Sequence, residues 1–139
     1  MNTIIVLLIL ILAVLILIYL SCCRNKSGPS TQVVNNSGAL FHMVKVGGVE
    51  FTENLNKCSD GCSTGFITVP EGGNHVFLQE TSGGAWVDLG ELGTFERKVN
   101  YAVNIRNAGG YCAELWVRHQ TSTTFNDDTT RTLIATNCP

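Results

Sequence analysis

Residues 40–55 read LFHMVKVGGVEFTENL, two runs of β-branched and aromatic residues on either side of Gly47 and Gly48. A two-residue loop whose members both tolerate positive φ suits a type I′ turn, whose twist matches that of paired strands, so this stretch predicts a β-hairpin. Further glycine pairs at 72–73, 83–84 and 109–110 mark other corners of the same kind. Between them, residues 65–69, 75–81, 85–89, 95–99, 101–107, 111–118 and 129–135 read as strands. Alternation is clearest late in the chain. Tyr101, Val103 and Ile105 share one face and Asn104 and Arg106 the other, while Tyr111, Ala113, Leu115 and Val117 oppose Glu114 and Arg118. No stretch beyond residue 38 carries a sustained helical apolar face. Roughly nine short strands at ten-residue spacing predict an all-β fold, a single β-sandwich of immunoglobulin-like or jelly-roll type.

Upstream of this domain the character of the chain changes. Residues 4–20, IIVLLILILAVLILIYL, hold no polar side chain except the Tyr19 hydroxyl. With Ser21, Cys22 and Cys23 the run would extend roughly 30 Å as a helix, the thickness of a bilayer core. Ile4, Leu8, Leu12, Leu15, Tyr19 and Leu20 are its expected lipid-facing anchors. Met1, Asn2 and Thr3 supply no basic n-region, and the tract exceeds the apolar core of a signal peptide, so an uncleaved transmembrane anchor is expected at 1–23. Arg24 and Lys26 follow the tract and no Lys or Arg precedes it, which by the positive-inside bias puts the C-terminal domain on the cytoplasmic side. Cys22 and Cys23, at the membrane edge, are candidates for lipidation, either palmitoylation or, for Cys22, a degenerate lipoprotein site. Residues 24–38, with SGPSTQVVNNSG at 27–38, read as a flexible linker, which leaves 39–139 for the sandwich. Asn35, Asn36 and Ser37 also match a glycosylation acceptor, a pattern frequent by chance.

The overall 45% of hydrophobic residues is therefore an average of two parts, not the mark of a large core. From residue 27 onward seven basic residues face eleven acidic ones, a net charge of −4, and no basic stripe exists to track a phosphate backbone; nucleic acid is not an expected partner. Cys58, Cys62, Cys112 and Cys138 remain in the domain. They allow three disulfide connectivities, with Cys58–Cys62 and Cys112–Cys138 preferred; reduced thiols are the expectation in a reducing cytosol, and the spacing matches a zinc knuckle poorly. His42, His75 and His119 lie on different strands without ligand spacing, and Trp86 and Trp116 are expected in the core. Asp127 and Asp128, in TSTTFNDDTTR at 121–131, read as a solvated turn with Phe125 at its tip. No nucleophile elbow, phosphate loop or metalloprotease helix is present, so no enzyme activity, cofactor or metal is expected.

In its plan of anchor, spacer and β domain the chain resembles the small membrane-anchored minor capsid proteins of large icosahedral DNA viruses. The resemblance implies a structural protein linking a lipid bilayer to a protein shell, in the inner membrane of a virion, with other capsid proteins as partners. It further implies a shell assembled on the cytoplasmic face, where virally encoded thiol oxidases would permit disulfides. The alternative is a membrane-anchored or lipoprotein surface module that recognises a glycan or protein through the loops around Gly83, Gly109 and Asn126. A pilin-like subunit fits less well, because no prepilin-type cleavage site precedes the tract and no acidic residue lies in it.

Overall fold

The computed structural model describes residues 2–24, 28–119 and 125–139. Helix α1 (Asn2–Arg24) is apolar round its whole circumference, and its large side chains over residues 4–20 are all exposed. A helix that belonged to a soluble core would turn one stripe inward; the domain buries no face of this one. Its apolar part, Asn2–Leu20, spans 19 residues, long and apolar enough to cross a membrane.

Among the described residues ten strands follow: β1 (Ser30–Asn36), β2 (Met43–Val46), β3 (Val49–Phe51), β4 (Cys62–Ser63), β5 (Ile67–Thr68), β6 (Gly72–Gln79), β7 (Trp86–Phe95), β8 (Asn100–Asn107), β9 (Tyr111–Arg118) and β10 (Arg131–Thr136). They form two facing sheets. The larger, sheet A, has the order β10-β9-β8-β1-β4, with β5 also on β1; the smaller, sheet B, runs β3-β2-β6-β7. Val33, Tyr101, Val103, Ile105 and Leu115 of the first meet Val44, Phe51, Val76, Leu78 and Phe95 of the second in one core. The expected hairpin is there: Val46 pairs with Val49, and Gly47 and Gly48 have φ of 59° and 82°, the double positive turn that other residues resist.

One expectation is overturned at the centre of the domain. Residues 30–36, assigned to the flexible linker on composition, are β1, and β1 is an interior strand of sheet A. It runs parallel to β8 in unbroken register from Ser30 opposite Asn100 to Asn36 opposite Arg106. Its polar side chains concealed it. Thr31, Gln32, Val33, Val34 and Asn35 are all buried, and the amides find partners inside: Asn35 Nδ2 donates to the carbonyls of Ala39 at 2.8 Å and Cys58 at 3.1 Å. A second correction concerns residues 95–99, which form no separate strand. Phe95 ends β7, and a turn through Lys98, held at a φ of 63°, leads into β8.

The register also sorts the loops into two ends. At the entry end, where β1 begins, lie the Gly47–Gly48 turn, the 69–71 connection and the 96–99 turn; β5 is joined there through Thr68 opposite Ser30. At the far end lie the turns around Gly38, Gly83 and Gly109. Both disulfides fasten this far end: Cys58–Cys62 with Cα atoms 5.8 Å apart, and Cys112–Cys138 at 5.1 Å. The side of the sandwich between β7 and β10 is closed by a side chain. Asn137 accepts from the Ala113 N–H at 2.7 Å and donates to the Leu89 carbonyl. Gly93 lies on the same seam, where a Cβ would come within 3.0 Å of Ala135.

Two stability outcomes follow from this arrangement. Cys112–Cys138 closes a loop with a sequence separation of 26 and Cys58–Cys62 one of 4. Loop-closure entropy makes Cys138→Ser the costlier change, about 3 kcal/mol against about 2 kcal/mol for Cys62→Ser, measurable by denaturant unfolding of the full chain in detergent. Thr31 Oγ1 is buried without a hydrogen-bond partner among the described residues. The nearly isosteric Thr31→Val removes that unsatisfied hydroxyl and raises stability by about 1 kcal/mol in the same assay.

Candidate functional site

The outer face of sheet A presents rows of side chains set by the register. Asn36 lies beside Arg106, Val34 beside Asn104 and Glu114, and Gln32 beside Ala102 and Trp116. In a two-sheet sandwich such positions would ordinarily meet water. Here a short 3-10 turn, Phe125–Asp127, folds back over them. Phe125 is buried against Val34, Ala102 and Trp116, meeting the indole edge-on with centroids 5.8 Å apart. The tip residue of the expected solvated turn is thus the centre of a second, smaller core.

The lid is locked by a buried ion pair. Arg118 Nε and Nη2 each lie 3.1 Å from Asp128 Oδ2, with side-chain exposures of 0% and 1%. Arg118 Nη1 also donates to Gln32 Oε1 at 2.5 Å, which couples β9 to the central strand β1. Thr130 donates to Asp128 Oδ1 through its hydroxyl at 2.6 Å and its amide at 2.8 Å. The Thr130 hydroxyl foremost, with its amide and Arg118, holds the Asp128 carboxyl below the ordinary aspartate range despite burial. Asp128 is therefore no part of a solvated turn.

Between this lid and the far end a cleft of about 320 Å³ opens, lined by Asn36, Asp60, Asn104, Arg106, Glu114 and Trp116 on the strands and loop, and by Phe125, Asn126 and Arg131 on the lid. Glu114 is its buried pivot. One carboxylate oxygen accepts from Asn104 Nδ2 at 2.8 Å and Trp116 Nε1 at 3.2 Å, the other from Arg106 Nη1 at 3.1 Å. Asn36 and Asn126 bond reciprocally, Nδ2 to Oδ1, at 2.9 and 3.0 Å, and Asn36 Nδ2 also reaches Asn104 Oδ1 at 2.7 Å. The Arg131 guanidinium stacks 4.0 Å from the Phe125 ring centroid and 4.8 Å from that of Trp116, while Nη1 donates to the Phe125 carbonyl. Two carboxylates and two guanidiniums balance to zero. The arrangement offers fixed donors and acceptors beside an aromatic edge.

The residues singled out from sequence are distributed differently. Ile4, Leu8, Leu12, Leu15, Tyr19 and Leu20 all lie exposed on α1. The side chains of Cys22 and Cys23 lie outside the described residues, as do residues 121–124 of the expected loop. Cys58, Cys62, Cys112 and Cys138 form the two disulfides. His42, His75 and His119 do not converge: His75 pairs with Asp88 at 3.1 Å on the outer face of sheet B, and His119 contacts Thr132. Trp86 is not a core residue; it lies 38% exposed, with Lys45 4.5 Å over its ring. Of the three loops named for recognition, Gly83 and Gly109 lie at the far end, and Asn126 lines the cleft. Tyr111 of β9 meets Glu80 of the Gly83 turn there, and its hydroxyl pKa is raised, by burial first and by Glu80 second. The polar alternation of β8 and β9 did signal Asn104, Arg106 and Glu114, but Asn36 was concealed in a segment of linker composition.

Asp128 sets a pH dependence whose sign is fixed. Its folded pKa is depressed, so its stabilising contribution is complete above the unfolded value of about 3.9 and is lost as pH falls from there through the folded pKa. Wild-type stability is expected to drop below about pH 4. Asp128→Asn leaves Arg118 buried without its counter-charge, lowers stability at neutral pH by about 3 kcal/mol, and flattens that acid loss. Urea unfolding across pH reads both.

No protein-family model, curated protein or solved structure matches this chain, so a functional reading rests on its own geometry.

Proposed function

We propose that this protein is a non-enzymatic, single-pass membrane protein that ties a lipid bilayer to a protein shell or assembly, as the minor capsid proteins it resembles in plan do. The sandwich, immunoglobulin-like or jelly-roll in size and strand number, supplies the binding surfaces, and the cleft around Glu114 is the foremost of them. One observation carries the reading. Helix α1 ends at Arg24 and β1 begins at Ser30, so only five residues separate an apolar helix from the interior strand of the larger sheet. A load drawn along that tether enters β1 lengthwise, and the ladder to β8 then resists in shear, its hydrogen bonds strained together instead of one at a time. A domain hung from an edge strand by a long spacer would have neither property. Arg24 and Lys26 support a cytoplasmic, shell-facing domain, and Cys22 and Cys23 suit a lipidated juncture at that side.

A second reading, a surface module that recognises a glycan or protein, is favoured by the two disulfides, which belong to oxidising compartments. Sealed membranes separate the two. Under the first reading the domain is digested by protease added to the cytoplasmic side, and under the second it is protected until the bilayer is opened. For both, the protein stays with membranes through high salt and alkaline carbonate and is released by detergent; extraction by carbonate alone refutes a spanning α1. Intact mass that retains Met1 rules out the lipoprotein form.

A further inference from the structure

We propose that the cleft of sheet A receives the carboxylate of an aspartate or glutamate side chain from a partner protein, and that Arg131 is the residue that binds it. This rests on reading the cleft as a binding surface and gives its partner a chemistry. The starting point is a charge without a counter-charge. All eleven aspartates and glutamates of the chain lie among the described residues, and none of them places an oxygen within 4.0 Å of the Arg131 guanidinium. Lys57 and Lys98 have no carboxylate that close either, but both are exposed lysines that water solvates freely.

Arg131 is held differently. It is half-buried, its Cζ lies 4.0 Å from the Phe125 ring centroid and 4.8 Å from that of Trp116, and Nη1 donates to the Phe125 carbonyl at 2.7 Å. Two rings and a carbonyl thus set the plane of the guanidinium. Nε and Nη2 make no hydrogen bond among the described residues. These two N–H groups form one edge of the guanidinium, and a planar carboxylate meets that edge with two parallel bonds.

The other groups of the cleft narrow the choice of ligand. Asn36 accepts from the Gly61 N–H and from Asn126, and it donates to Asn104 and Asn126. Glu114 accepts from Asn104, Trp116 and Arg106. These side chains are spent on one another. A sugar would need free donors and acceptors for its hydroxyls and an open aromatic face; here the amides are satisfied, and the Trp116 ring is engaged by Arg131 and by the edge of Phe125. Arg106 answers Glu114, which leaves Arg131 and the exposed Asp60. One carboxylate can be matched by Arg131, whereas a phosphate dianion would bring excess charge toward Asp60. The volume of about 320 Å³ admits a single side chain. An acidic side chain is the ligand that asks for no more than these groups still offer, and it is one that a protein assembly supplies.

The test is a titration of the full chain in detergent with the capped peptide Ala-Ala-Glu-Ala-Ala, followed on the indole N–H signals. Trp116 lines the cleft and is the probe; Trp86, on sheet B, is the control. Trp116 is expected to shift and Trp86 to stay. The peptide with Gln in place of Glu is expected to bind about tenfold more weakly, the loss of a charge-assisted contact. Arg131→Gln should lose the Glu peptide to the same extent, and Arg131→Lys most of it, since an ammonium keeps the charge but not the fork. Because Arg131 also packs on the lid, Asp60→Asn supplies a reading with Arg131 in place: removal of the cleft's other exposed carboxylate should tighten the Glu peptide several-fold. Equal binding of the Glu and Gln peptides overturns the proposal, as does an Asp60→Asn variant that gains nothing. A Trp116 shift with methyl glucuronide and none with the Glu peptide overturns it too, yet keeps the cleft as a binding surface; no shift with either refutes both. The titration needs no bilayer, so the anchoring of α1 stands or falls separately, by carbonate extraction.

Discussion

The parallel pairing of β1 with β8 is the constraint on which the rest of this structure depends. β1 fills the gap between β8 and the short strands β4 and β5; without it sheet A would split into a three-stranded meander and two fragments with no partner. Its inward side chains, Val33 and Asn35 among them, complete the core and secure the far-end loops. Its outward ones, Gln32, Val34 and Asn36, each hold a different part of the lid or the cleft.

The second feature is that the outer face of sheet A is not a solvent face. The 3-10 turn Phe125–Asp127 lies over it, and Arg118 and Asp128 are buried with Phe125. Burying two charges is costly, and replacing them with apolar residues is often no worse for stability. What the pair provides here is definition: two guanidinium nitrogens of Arg118 on one oxygen of Asp128, the Thr130 hydroxyl on the other and the Gln32 side-chain oxygen on Arg118 allow one position of the lid. With the lid set, Phe125, Asn126 and Arg131 stand opposite Asn36, Asn104 and Glu114, and the cleft exists as a shape and not as a list of polar residues. The cleft joins β1, β8, β9, the Cys58–Cys62 loop and the lid, so a partner bound there would grip most of sheet A at once.

The two disulfides act at one end of the sandwich. Both cystines lie at the end of the domain farthest from where β1 begins. Small β domains are least secure in the loops that no long strand organises. Here the 58–62 loop and the last residues of the chain are cross-linked, while at the opposite end β5 pairs with the start of β1.

The amino-acid sequence by itself determined the apolar helix, the all-β character, the hairpin at Gly47 and Gly48 and the faces of β8 and β9, because each depends on near neighbours: a hydropathy run, a turn type or a period of two. It could not disclose that Ser30–Asn36 is a strand, since a segment of Ser, Thr, Gln and Asn acquires β structure only when distant residues satisfy its polar groups, as Arg118, Cys58 and Ala39 do. Nor could it show that Asp128 is buried or that Trp86 is exposed, because an aspartate looks like solvent and a tryptophan like core until a folded lid covers the one and a sheet turns the other outward. Local pattern settled which elements form; contacts between residues as far apart as Gln32 and Arg118 decided which faces are covered, and hence where a site can be.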